Sequence, residues 1–238
     1  MIYVTGDMHR EFSRLYTLYG TEEDMLIVLG DAGINFFLDE SDVELKKYLS
    51  SFGLKFFCIR GNHEERPENI STYREVEMFG GKVYIEDQFP NLIFAKDGEI
   101  YEIGGYRVLV IGGAYSIDKR HRLKTGKKWF RDEQLTDDEM LTILDKVKGQ
   151  HFDIVLTHTC PRKYEPTEVF LDWVNQDRVD KSMENFLGEV EECIDYDKWY
   201  CGHYHTEKAL DKIQFMFKDI EVFNKEIKKP YSLGRIKK

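Results

Sequence analysis

The chain has 238 residues, 42% hydrophobic and 33% charged, a globular composition long enough to bury a large core. Its 44 acids against 34 Lys and Arg give a net charge of −10, which argues against a duplex-DNA binder with a basic face all over but leaves room for a local basic patch. Cys58, Cys160, Cys193 and Cys201 are scattered with no Cys-x-x-Cys pair and read as reduced thiols. The MIYVTGD start reads as no signal peptide, and no apolar run is long enough to span a bilayer, so a cytoplasmic protein without a membrane partner is expected.

Residues 2–5 read as a short buried strand. Phe12, Leu15, Tyr16 and Tyr19 follow at helical spacing and Gly20 closes them. Residues 25–30 predict a second strand. Val43, Leu45, Tyr48, Leu49 and Phe52 predict a helix closed by Gly53, and 54–59 a third strand. Strand, helix, strand, helix, strand implies βαβ units and a parallel sheet. The runs 82–86, 92–103 and 106–113 then read as strands joined by tight turns, which makes part of the sheet antiparallel or mixed. Thr136 with Glu139 forms a capping box, opening a helix that carries Met140, Ile143, Leu144 and Val147 and stops at Gly149. A strand at 153–158, a helix over 179–194, a strand ending in 198–205 and a closing hairpin over 208–223 complete the chain. With no linker, repeat or low-complexity segment, residues 1–238 read as one domain.

The polar residues gather at strand ends. The first strand ends in Gly6-Asp7-Met8-His9, the second in Gly30-Asp31 and the third in Arg60-Gly61-Asn62-His63-Glu64. Later strands end in Thr157-His158 and Gly202-His203-Tyr204-His205. Five of the seven histidines lie at these tips; His121 and His151 do not. In open α/β sheets, ligands bind at the carboxyl ends of strands. Asp, His and Asn together suit Mn, Fe, Zn or Co rather than a thiolate-loving ion.

This series resembles the calcineurin-like metallophosphoesterase superfamily from Asp7 to His205. The resemblance implies an α/β fold, a four-layer α-β-β-α sandwich of two mixed sheets flanked by helices. It also implies two divalent metal ions, manganese first, with iron, zinc or cobalt as alternatives. Carried over by residue, Asp7, His9 and His205 would hold one ion, Asn62, His158 and His203 the other, and Asp31 would bridge. His63 would stand near the leaving group as a catalytic residue. The stretch RGNHE at 60–64 is similar to the Ser/Thr protein phosphatase branch, where the Arg meets phosphate oxygens, so Arg60 is expected to grip phosphate. Glu64 would orient a ligand or begin a solvated helix. That branch carries an Asp and an Arg where this chain has Ile34 and Asn35, which counts against a protein-phosphatase assignment.

Residues 119–131 hold seven Lys or Arg and no acid, with Trp129 and Phe130. They read as a basic loop following a strand end at Tyr115. Tyr115, Arg120, Arg122 and Trp129 are candidate substrate-binding residues, by charge plus stacking. The segment is similar to small bacterial and phage members of the superfamily. Residues 225–238 carry six basic residues and one acid and read as a solvated tail. The expected activity is hydrolysis of a phosphomonoester, such as a phosphoprotein or nucleotide, by metal-activated water. A phosphodiesterase or nuclease acting on nucleic acid or nucleotides is the alternative, and a non-catalytic scaffold a third reading. The expected partner is a phosphorylated substrate, with nucleic acid or a nucleotide as the alternative.

Overall fold

The protein is described by a computed structural model covering residues 1–18 and 20–227. The expectations for Tyr19 and for 228–238 fall outside the described residues. The chain lays down β1 (Ile2–Thr5), β2 (Met25–Val28), α1 (Glu40–Ser50), β3 (Lys55–Cys58), β4 (Tyr73–Met78), β5 (Gly81–Glu86) and β6 (Phe89–Ala95). It then crosses to a second sheet for β7 (Ile100–Ile103), β8 (Tyr106–Ile111), α2 (Lys119–Thr125), α3 (Asp137–Val147), β9 (His151–Thr157), α4 (Ser182–Cys193), β10 (Asp195–Cys201), β11 (Lys208–Leu210) and β12 (Ile213–Phe215). Finally it returns with β13 (Glu221–Val222). The first sheet has seven strands, in the order β13-β1-β2-β3-β6-β5-β4. The second has six, β11-β12-β10-β9-β8-β7.

Both sheets are mixed, and alternation along the strands explains the layers. In β2, Ile27 packs between the sheets with Phe57, Val110, Ile154 and Tyr200, while Leu26 and Val28 face outward onto Leu49 of α1 and Leu15. In the second sheet, Leu109, Val155 and Trp199 face outward onto Met140, Ile143 and Val147 of α3 and Met183, Phe186 and Leu187 of α4. The result is the expected α-β-β-α sandwich. β1, β2 and β3 run parallel, as do β8, β9 and β10, so each group delivers its carboxyl ends to one edge.

The capping box forms as read: Thr136 accepts from Glu139 N, and the Glu139 carboxylate accepts from Thr136 N. Several expectations need correction. Phe12 to Tyr16 make only a 3₁₀ turn, Ser13–Thr17. The helix expected from 179 starts at Ser182, after another 3₁₀ turn. The closing hairpin is β11–β12 alone; β13 crosses back to pair with β1. The run 92–103 divides between the two sheets rather than turning within one. The start of the basic tail is anchored, since Lys225 Nζ lies 2.7 Å from Asp153 and 2.9 Å from Asp197.

Candidate metal centre and its cleft

Two parallel strand groups bring Asp7 and His9 (after β1), Asp31 (after β2), Asn62 and His63 (after β3), His158 (after β9) and His203 and His205 (after β10) to one edge. The backbone there is unusual. His9, Asp31, His203 and His205 all have positive φ, at 44°, 47°, 66° and 51°. L-residues with side chains adopt that region at a cost of about 1–3 kcal/mol each, and such strain clusters at functional sites. Neighbouring glycines make the approach possible. Gly30 has φ of 94° and an added Cβ would lie 2.1 Å from His158 Nδ1; at Gly61 it would lie 2.0 Å from Asp31 Oδ1.

The two carboxylates are arranged alike. Asp7 Oδ1 accepts from His203 N at 2.8 Å, leaving Oδ2 for His205 Nε2 at 3.1 Å and His9 Nε2 at 3.6 Å. Asp31 Oδ1 accepts from His63 N at 2.8 Å, and its Oδ2 lies 3.8 Å from His9 Nε2 and 3.7 Å from His158 Nε2. Asp31 therefore stands between the two histidine groups. Asp7, His9 and His205 form one cluster of donor atoms close enough to share an ion; Asp7, Asp31 and His158 form another.

Both acids are almost fully buried, at 2% and 1% exposure. Burial alone would raise the Asp7 carboxyl, but hydrogen bonds from His205 and His9 outweigh it and hold the group well below its usual range. Asp31 is lowered too, because the attraction of His158 and His63 exceeds the cost of its burial. His9 is raised by Asp7 and Asp31 against its burial, whereas burial lowers His63 and takes His203 down to about 3.

The donor set fits a cation. His158 Nδ1 lies 2.7 Å from the carbonyl of Leu29, so the proton belongs on Nδ1 and the lone pair on Nε2. That lone pair faces Asn62 Oδ1 at 2.9 Å, while Asn62 Nδ2 donates to Ser116 Oγ at 2.9 Å. Two acceptors pointed at each other beside a buried carboxylate need a positive charge between them. His9 Nε2 and His205 Nε2 likewise meet at 2.9 Å beside Asp7. Phe217 stacks on His205 at 4.5 Å and fixes its ring. The His203 ring lies against His158, with centroids 5.0 Å apart.

Arg60 is placed otherwise than its sequence neighbourhood suggests. It is 3% exposed, with Nε on Asp97 at 2.9 Å, one terminal nitrogen on the Glu133 carbonyl at 2.8 Å and the other on Gly112 O at 3.3 Å. Its guanidinium ties the turn between β6 and β7 to the end of β8 and lines neither cleft beside the strand-end histidines, against the expectation that it grips phosphate. Glu64 is buried rather than solvated. It accepts from Gly61 N, and burial, then the charge of Asp31, pushes its carboxyl up to about 8.

The first half of the basic stretch, Lys119–Thr125, is a helix, α2, capped by Gly126 in the left-handed region, while residues 127–130 form the expected loop. Arg122 is braced by Asp118 at 2.8 Å and lines a cleft of about 430 Å³ together with His9, Arg10, Phe36, His63 and His205. Arg120 is exposed and lines neither that cleft nor the larger one described next. Trp129 is half-buried under Lys119, whose Nζ lies 4.3 Å from the ring, and is absent from both linings. Tyr115 does line the larger cleft, of about 480 Å³, which opens on the other side of the same histidines. Its far wall is Val169, Phe170, Leu171 and Trp173, from residues 161–178, a segment that sequence reasoning left unassigned.

An α/β sandwich whose strand ends converge two buried acids, an amide and five histidines on an open cleft is the architecture of a metal-binding hydrolase. The family model for calcineurin-like phosphoesterases matches residues 1–207, and the chain belongs to that family. Membership carries hydrolase chemistry of the metal-dependent phosphoester class. No curated protein matches the chain. Among the described residues, no helix is long and apolar enough to cross a membrane.

Proposed function

We propose that the protein is a dinuclear phosphomonoesterase. The carrying observation is the segregation of the lining around the shared residues His9, His63 and His205. The cleft on one side carries the exposed apolar side chains Val169, Leu171 and Trp173, and the cleft on the other carries Arg122 beside Arg10, the latter paired with Asp42. That asymmetry suits a substrate with one organic substituent and a phosphoryl group rich in unshared oxygens. Asp7, His9 and His205 would hold one divalent ion and Asn62, His158 and His203 the other, with Asp31 between them. The oxygen and imidazole donors suit manganese first, with iron, zinc or cobalt as alternatives. Bound there, the ions supply charge neutralisation and activation of water for attack on phosphorus.

The protein's own residues do the rest. Arg122, already oriented by Asp118, takes the clamp role that Arg60 cannot, donating to non-bridging oxygens. His63, between the two clefts, stands where the leaving oxygen emerges and supplies its proton. Its burial lowers the imidazole below the usual histidine range, and the negative charge of a bound phosphoryl group opposes that shift. A diesterase is the second reading, favoured by the volume of the Arg122 cleft, where Phe36 and Phe37 could flank a second arm.

The test is turnover of matched mono- and diesters by metal-stripped protein with manganese added back, for the unmodified protein and for Arg122→Ala. A monoesterase shows higher monoester turnover, and Arg122→Ala lowers it about 10- to 150-fold, the value of a hydrogen bond to a charged group. Diester turnover above monoester turnover in the unmodified protein refutes the reading.

A further inference from the structure

We propose that the larger cleft selects phosphoesters whose organic substituent is a flat, uncharged aromatic group, stacked on Trp173. The inference rests on the phosphomonoesterase reading for the position of the phosphoryl group and adds the class of substituent. Trp173 is 76% exposed, the most exposed of the large apolar side chains among the described residues. Single exposed apolar residues are ordinary, but Val169, Leu171 and Ile117 are exposed as well and line the same cleft, which makes a patch.

The wall is held from behind. Phe170 stacks on Tyr204 at 6.2 Å with the rings within 20° of parallel, and Lys181 Nζ lies 5.0 Å from the Phe170 ring centroid while bonding to Glu165. Lys208 ties Glu168 to β11. These contacts fix the backbone of 161–181 and leave the indole facing the cleft rather than the core.

The charges lining the cleft decide between substituents. Asp180 and Glu184 line it, as does Asp118, which Arg122 already pairs, and its one lysine, Lys181, is engaged by Glu165. A second phosphate, or a nucleic-acid backbone, would meet acids there with no free base to answer them. A neutral substituent meets no such penalty. Within that class, a flat ring gains more from an exposed indole face than an aliphatic chain does. Stacking, which the sequence suggested for Trp129, thus falls to Trp173, because Trp129 is covered by Lys119.

The experiment compares 1-naphthyl phosphate, a nucleoside 5′-monophosphate and glycerol phosphate on the manganese-loaded protein and on Trp173→Ala and Trp173→Phe. Trp173→Ala should raise KM for one or both aromatic substrates, relative to glycerol phosphate, by about 5- to 150-fold, the scale of a base–aromatic stack. The kcat values should move little, and Trp173→Phe should recover most of the loss. A shift with the naphthyl ester alone assigns the cleft to aryl groups; a shift with the nucleotide alone assigns it to nucleobases. Equal KM changes on all three esters, or none, overturn the proposal while leaving the hydrolase reading intact. If no ester is turned over, the hydrolase reading fails, and calorimetric titration of the two aromatic phosphates still decides the matter. Weaker binding to Trp173→Ala supports the wall, and unchanged binding refutes it.

Discussion

Replacing Arg60 with alanine separates two roles that its sequence neighbourhood confuses. As a phosphate clamp, Arg60 would matter to turnover and little to stability. As placed, it holds the Asp97 carboxylate and the carbonyls of Gly112 and Glu133 within a nearly closed pocket. The charged bond contributes about 1.5–3 kcal/mol and the two carbonyl bonds about 1 kcal/mol each. The loss of roughly 3.5–5 kcal/mol agrees with the about 3–5 kcal/mol measured when one partner is removed from a buried pair. That is a large part of the 5–15 kcal/mol typical of a folded domain. For a chain of this size it corresponds to a fall in Tm of roughly 7–20 °C. Thermal unfolding followed by circular dichroism on the purified variant reads it directly. Arg60→Lys should fall between the two, because an ammonium can reach Asp97 but cannot fork to both carbonyls. A variant that melts with the unmodified protein yet has lost turnover would return Arg60 to the phosphate and refute the structural assignment.

Asp31→Asn should lower metal content, read by elemental analysis, and turnover together, because Asp31 lies between both histidine groups; two bound ions with near-normal rate would sink the bridging role. His63→Ala should slow alkyl phosphates by about 10²–10⁴ and nitrophenyl phosphate far less, since nitrophenolate leaves without a proton. Equal losses on both would leave His63 a positioning residue. Burial raises the Glu184 carboxyl, and its Oε2 has no hydrogen-bond partner among the described residues. A raised acid favours folding below its unfolded pKa and loses that contribution as pH climbs through the folded value. Glu184→Gln should therefore be more stable than the unmodified protein at pH 8, with the difference shrinking towards pH 4 in denaturant titrations.

The convergence of polar residues on one edge was legible because those residues follow apolar strands directly, so sequence position gave spatial position. Asp7, Asp31, Asn62, His158 and His203 needed only the rule that parallel strands share a carboxyl edge. Side-chain direction was not legible. Arg60 lies two residues from Asn62, yet its guanidinium is held by Asp97, Gly112 and Glu133, all at least thirty-seven residues on. β4 was missed because Arg74, Glu75 and Glu77 give an edge strand little apolar alternation, and α2 because a seven-residue helix with no buried face has no hydrophobic period. Residues 161–181 adopt isolated 3₁₀ turns, which leave no periodic trace. The one available signal was the apolar run Val169-Phe170-Leu171 with Trp173, standing where no strand or helix needed it.

The crossing from β6 to β7 divides the active edge between the two halves of the chain. Asp7, His9, Asp31, Asn62 and His63 come from the sheet laid down first, and His158, His203 and His205 from the sheet that follows. A nascent chain that has emerged only as far as the crossing carries both acids but none of the three later imidazoles. Neither donor cluster is complete at that stage, since one requires His205 and the other His158. Assembly of the edge is thus a report on docking of the whole sandwich: truncated or half-folded chains are left with neither candidate donor cluster whole.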